Sequence, residues 1–163
     1  MSLVFRRKNS DASRSRPFPD DRPYSEAISL RHLRRDSGSG DFRDEAVVAA
    51  IRAALGGPAD IVLSDMAAPA TGHAATDHLR VVALAEDAFA LAQTLLKPGG
   101  TFVAKVFQSG ADAVLLAQLK RDFSSVKHVK PASSRTDSSE RYVLAMGFRG
   151  VPTDRREADT PSS

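Results

Sequence analysis

Two side chains in this sequence sit where chemistry is expected. Asp65 closes the stretch Asp60-Ile-Val-Leu-Ser-Asp65, in which a short apolar run ends abruptly and Pro69 then blocks any continuation as sheet. A short, unbroken apolar run is the pattern of a strand buried on both faces. A carboxylate at the C-terminal tip of such a strand stands where open α/β sheets place their ligands. The plainer reading is that Asp65 starts a turn. Lys105 interrupts the otherwise apolar, β-rich run Thr101-Phe-Val-Ala-Lys-Val-Phe107. Lysine is almost never fully buried without a partner, so this amine either snorkels from the strand end to water or has a task inside.

The elements that must hold these two residues are legible in the pattern. Asp44 and Glu45 stand where acids favour a helix start. Val47, Val48, Ile51, Ala54 and Leu55 then recur at helical spacing until Gly56-Gly57. The strand carrying Asp65 follows, then a loop of small residues from Met66 to Thr76, of the kind that shapes sites at strand tips. Asp77 is placed to cap the next helix, whose apolar stripe runs Val81, Leu84, Ala85, Ala88, Leu91, Leu95. Lys97-Pro98-Gly99-Gly100 ends it before the strand of Lys105. A helix over 111–123 turns Leu115, Leu119 and Phe123 inward. Val126 to Lys130 alternates like an edge strand, and Glu140 to Phe148 forms the last strand. Alternating helices and strands imply a parallel sheet with right-handed crossovers. The last two strands, joined by a loop alone, suit an antiparallel pair.

Composition narrows the classes. The length of 163 residues fits one domain, and the absence of cysteine excludes disulfides, cysteine zinc sites and thiol nucleophiles. That usage is compatible with a reducing cytoplasm, and the opening residues lack the apolar core of a secretory signal. No apolar run approaches the ~20 residues that span a bilayer. The net charge of +3 is unevenly placed: residues 1–40 hold nine Lys/Arg against five acids, leaving the remainder close to neutral. Pro17, Pro19 and Pro23 break this basic arm, and Ser37-Gly38-Ser39-Gly40 forms a joint. The arm is expected to be mostly disordered, with a short helix around 25–34. It reads as a solvated tail first and as a contact for RNA phosphates second.

Five motifs then occur in series: Gly40-Asp-Phe-Arg-Asp-Glu45, Ser64-Asp-Met-Ala67, Leu96-Lys-Pro-Gly-Gly100, Val103-Ala-Lys-Val-Phe-Gln108, and Lys130-Pro-Ala-Ser-Ser-Arg135 with Ser139-Glu-Arg-Tyr142. Each alone is weak, but their order and spacing are specific. Over residues 40–150 the chain resembles the C-terminal part of the FtsJ-type ribosomal RNA methyltransferases. The resemblance implies methyl transfer from S-adenosylmethionine to the 2′-hydroxyl of a uridine in large-subunit ribosomal RNA, in the cytoplasm, with that RNA or a ribosomal subunit as partner.

By the same resemblance, Asp65, Lys105 and Glu140 fall on three members of a Lys-Asp-Lys-Glu set lining the methyl-acceptor site. Asp41 matches an acid that contacts the adenine end of the cofactor, and Asp65 also lies against the cofactor. Glu140 and Asp41 would otherwise pass as a strand-start charge and a helix cap. The residue types suit the reaction. A ribose hydroxyl must lose its proton as it attacks, and a neutral lysine takes it if burial or a nearby cation lowers its pKa. No metal is required.

The departures are equally specific. The sequence has no tryptophan, and residues 1–39 hold none of the family's Pro-Gly-Gly-Trp loop or first strands. Lys8 lies in Arg-Arg-Lys-Asn, so the first lysine of the set is carried over to no residue. The expected fold is therefore an incomplete Rossmann-like α/β methyltransferase sheet of strand order 4-5-7-6 with the last strand antiparallel. Residues 1–39 form a disordered basic arm, 40–150 the methyltransferase part and 151–163 a flexible tail. The Asp60–Ser64 strand should be a bare edge. With Asp65 and Glu140 beside it and no second lysine, Lys105 should be a poorer base. These points suggest a truncated or frame-shifted reading frame with impaired cofactor binding. The alternatives are a non-catalytic RNA-binding remnant, using the arm with Lys127, Lys130 and Arg135, and a partner subunit that supplies half a site.

Overall fold

The structure is a computed structural model that describes residues 2–6, 28–29, 44–107, 110, 112–130 and 140–150. Its elements are β1 (Ser2–Arg6), β2 (Ile28–Ser29), α1 (Glu45–Leu55), β3 (Ala59–Asp65), α2 (Ala74–Leu95), β4 (Leu96–Phe107), α3 (Ala113–Asp122), β5 (Phe123–Val129) and β6 (Glu140–Phe148). The strands form one sheet in the order β2-β1-β3-β4-β6-β5. Within it β3 and β4 are parallel, and β6 runs antiparallel to both β4 and β5. The order β3-β4-β6-β5 with its antiparallel β6 is the one expected.

Local chemistry accounts for the element ends. The Asp44 carboxylate accepts from the Ala46 amide at 3.0 Å, and Gly56 leaves α1 at φ 63°. That left-handed conformation is cheap only without a Cβ. Gly100 lets β4 pass close to its neighbours: a Cβ there would lie 2.9 Å from the Lys97 carbonyl oxygen and 3.3 Å from that of Asp60. α2 begins at Ala74, three residues before the expected cap. Asp77 lies in its first turn and accepts hydrogen bonds from the Thr71 amide (2.8 Å) and hydroxyl (2.7 Å). The acid therefore folds the loop back onto the helix instead of capping it.

Strand register sorts the sheet into two faces. Phe5, Val62, Phe102 and Ala145 align across four strands and are fully buried. They join Ile51, Ala88, Phe89, Leu115 and Leu119 from the helices in one core cluster. Phe89 packs on Phe102 (5.5 Å between ring centroids) and Phe123 (6.0 Å), and Phe123 on Phe148 (5.2 Å). Each buried phenylalanine contributes about 1.5–3 kcal/mol of burial free energy. The alternate residues Leu63, Val103 and Leu144 are half-buried on the other face, and Asp65, Lys105, Tyr142 and Glu140 continue that face towards the strand ends.

The expected bare edge is not bare. β1 lies antiparallel on β3, pairing Leu3 with Ser64 and Phe5 with Val62, and β2 adds to β1 at Val4 and Phe5. The reason is physical: the outer edge of an apolar strand presents a row of amides and carbonyls that must be paired. The β1 backbone pairs with that edge from Ser2 to Arg6, and Phe5 adds a fully buried ring to the core. The described part of the proposed 25–34 helix is strand, at Ile28–Ser29.

Candidate active site

Asp65, Lys105 and Glu140 converge. Ser64 and Ala104 are the last paired residues of β3 and β4, so the next residues of each strand, Asp65 and Lys105, stand side by side. Lys105 Nζ lies 2.7 Å from Asp65 Oδ1 and 3.3 Å from Glu140 Oε2. Glu140 is the register partner of Phe107 on β6, one diagonal step from Lys105. Three strands thus each deliver one charge to a common point at the end of the sheet. The Lys105 side chain is the most enclosed, at 14% exposure against 32% for Glu140 and 41% for Asp65.

Sequence reasoning missed a fourth member. Tyr142, the register partner of Lys105, donates its hydroxyl to Asp65 Oδ1 at 2.8 Å. The available signal was the period of two on β6, which puts Tyr142 on the same face as Glu140. Asp41 lies outside the described residues.

The electrostatics follow from these contacts. Burial pushes the Asp65 carboxyl up, but hydrogen bonds from Lys105 and Tyr142 and the ammonium charge outweigh it, leaving its pKa below the ordinary value. Burial pulls Lys105 down, yet the hydrogen bond and charge of Asp65, with Glu140 behind, raise its pKa overall. Burial and the bond to Asp65 push Tyr142 up to about 12. At neutral pH the cluster is one ammonium held between two carboxylates under a neutral phenol. Its amine holds its proton more firmly than a free lysine, so the neutral form is scarcer.

Beside this cluster, the rings of His78 and Phe107 stack with centroids 4.6 Å apart and planes 21° from parallel. A separate cleft of about 340 Å³ lies at the far edge of the sheet, lined by Gly110, Asp112, His128 and Arg141. In it His128 Nε2 sits 3.1 Å from Asp112 Oδ2.

The sequence profile of the FtsJ-like methyltransferase family matches residues 19–148. The chain belongs to that family. The match begins within the arm, upstream of Gly40, where the sequence motifs start. Over 138 residues the chain is 62% identical to a ribosomal RNA large subunit methyltransferase E of Rhodopseudomonas palustris strain BisB5, covering 82% of this chain and 59% of that protein. A protein of the same name from strain BisB18 is 68% identical over 121 residues, covering 74% and 50%. The chain thus spans about half the length of the curated relatives it matches. A ribosomal RNA methyltransferase crystal structure from Plasmodium falciparum superposes with a TM-score of 0.57 at 26% identity, over 71% of this chain and 60% of that one. Among the described residues no helix is long and apolar enough to cross a membrane, and no group of three or more metal-binding side chains occurs.

Proposed function

We propose that this chain carries the acceptor side of a ribosomal RNA 2′-O-methyltransferase, acting on a uridine ribose of the large subunit with S-adenosylmethionine as donor, in the cytoplasm. The supporting observation is the convergence of Asp65, Lys105 and Glu140 at one end of the sheet. Methyltransferase-family membership implies a methyl donor. The donor set suits this one, since carboxylates at the strand tips favour a cationic sulfonium nearby. Asp65 and, by its motif, Asp41 would hold the donor, which supplies an activated methyl group. We place the acceptor role in residues 40–150, with 1–39 and 151–163 outside it.

The residues of this chain then do two things. They align the hydroxyl, which accounts for much of the rate in such transfers, and they manage its proton. In its charged form Lys105 donates to the ribose oxygen and stabilises negative charge developing there. In its neutral form it accepts the hydroxyl proton. The raised pKa makes the neutral form scarce at pH 7, so the second role requires further burial or a second cation.

The test is incubation of the chain with under-methylated large ribosomal subunits and methyl-labelled S-adenosylmethionine, followed by mapping of the label. Label on a ribose 2′-oxygen, lost in Lys105→Met, supports the reading. Label elsewhere, or label that survives Lys105→Met, contradicts it. Calorimetry adds a second arm: RNA binding without donor binding favours the non-catalytic remnant. Donor binding only with a second polypeptide present favours the partner subunit.

A further inference from the structure

We propose that His78 and Phe107 form a stacking platform for the base of the nucleotide whose ribose enters the Asp65–Lys105–Glu140 cluster; the proposal rests on the RNA reading above. Phe107 is two residues beyond Lys105 on the same face of β4 and directly opposite Glu140 in the β4–β6 ladder. A ribose held at the cluster therefore has Tyr142 within the cluster itself and this ring at its border, one position along the same face. His78, from the first turns of α2, lies nearly parallel to it at 4.6 Å. Neither ring belongs to the buried core cluster, and both are only partly buried.

The packing of the core therefore does not require this pair. What the pair provides is a fixed, partly exposed π-surface at the edge of a site meant for a nucleotide. Bases stack on such surfaces without regard to sequence. The imidazole also brings ring nitrogens that can hydrogen-bond to the carbonyls of a pyrimidine. A purely structural role, stapling the start of α2 to the end of β4, would leave nucleic-acid binding indifferent to whether a base is present.

The experiment measures binding of the intact chain to a short single-stranded RNA containing one uridine, and to the same RNA with an abasic ribose at that position. No methyl donor is added. Wild-type protein is expected to prefer the uridine RNA by about 5- to 150-fold, the range of a single base stacked on an aromatic. His78→Ala should lose most of that preference while binding the abasic RNA as before, and His78→Phe should keep it. Equal wild-type binding of the two RNAs overturns the platform. So does preference retained in His78→Ala, or lost alike in His78→Phe. Should His78→Ala fail to fold, Phe107→Leu gives the same comparison. Absence of labelled methyl on RNA would sink the reaction without altering base-dependent binding, so the two failures are distinguishable.

Discussion

Lys105 and Asp65 come from neighbouring parallel strands forty residues apart in sequence, and their charged atoms meet at 2.7 Å. The contact arises because the pairing of β3 with β4 ends in register, Ser64 beside Ala104, so the next residue of each strand faces the same space. Lys105 is well enclosed and sits between two acids. Replacing it by Met removes the ammonium that lies 2.7 Å from Asp65 and 3.3 Å from Glu140. Methyl transfer should fall by about 10²- to 10⁴-fold, the range of a lost proton-transfer group. Lys105→Arg keeps the charge but cannot lose a proton. Initial rates of the two variants separate the roles: recovery with Arg means a charge role, and failure with Arg means a base role.

The pH dependence of the rate follows from the raised Lys105 pKa. If the neutral amine takes the proton, the rate should climb about tenfold per pH unit from neutrality upwards, because each unit brings a tenfold gain in neutral amine. A rate that is flat above pH 7 assigns Lys105 to charge stabilisation.

Stability should carry the same signature at both ends. Lys105 and Tyr142 have raised folded-state values, so their stabilisation is complete below the ordinary lysine and tyrosine range. It is lost as pH rises through the folded values, about 12 for Tyr142. Asp65 is depressed, so its contribution is complete above the ordinary carboxylate value and lost only in stronger acid. Tyr142→Phe removes the donor to Asp65 and should lower stability at pH 7 by about 0.5–1.5 kcal/mol, the net worth of one hydrogen bond. Urea melts of both proteins across pH check this: a Tyr142→Phe destabilisation absent at pH 7 would contradict it.

The edge strand β1 is open to a direct test. Phe5 is fully buried in the core and pairs with Val62. Phe5→Ala should cost about 3–5 kcal/mol, as for other large-to-small core replacements. Denaturant unfolding would show an unchanged midpoint if β1 were not docked on β3.

Gly100→Ala should be destabilising by about 1–3 kcal/mol, the range for overpacking, since its Cβ would press on the Lys97 carbonyl. Thermal melts against wild type measure it. The change acts within β4, five residues before Lys105, so it should also slow methyl transfer by shifting Lys105.

What was legible in the sequence follows from how local each signal was. Asp65 and Lys105 stood out because each breaks an apolar run at a strand, and the helices showed their stripes. Glu140 and Asp41 carried no such contrast and came only with the family resemblance. Tyr142 was hidden because its partner, Asp65, lies 77 residues away and only register joins them. β1 was hidden for the same reason: Leu3 and Phe5 make sense as a strand only beside β3, nearly sixty residues later. Asp77 misled because a cap and a first-turn acid look alike until Thr71 is seen donating to it.

The most direct check is an NMR titration of the Lys105 side-chain Cε resonance in wild-type protein and in Asp65→Asn. The structure predicts a wild-type midpoint above that of an ordinary lysine and a clear fall in the variant, because the carboxylate 2.7 Å away holds the proton on. Midpoints that coincide would mean the two side chains do not share a site, and the acceptor cluster would not exist.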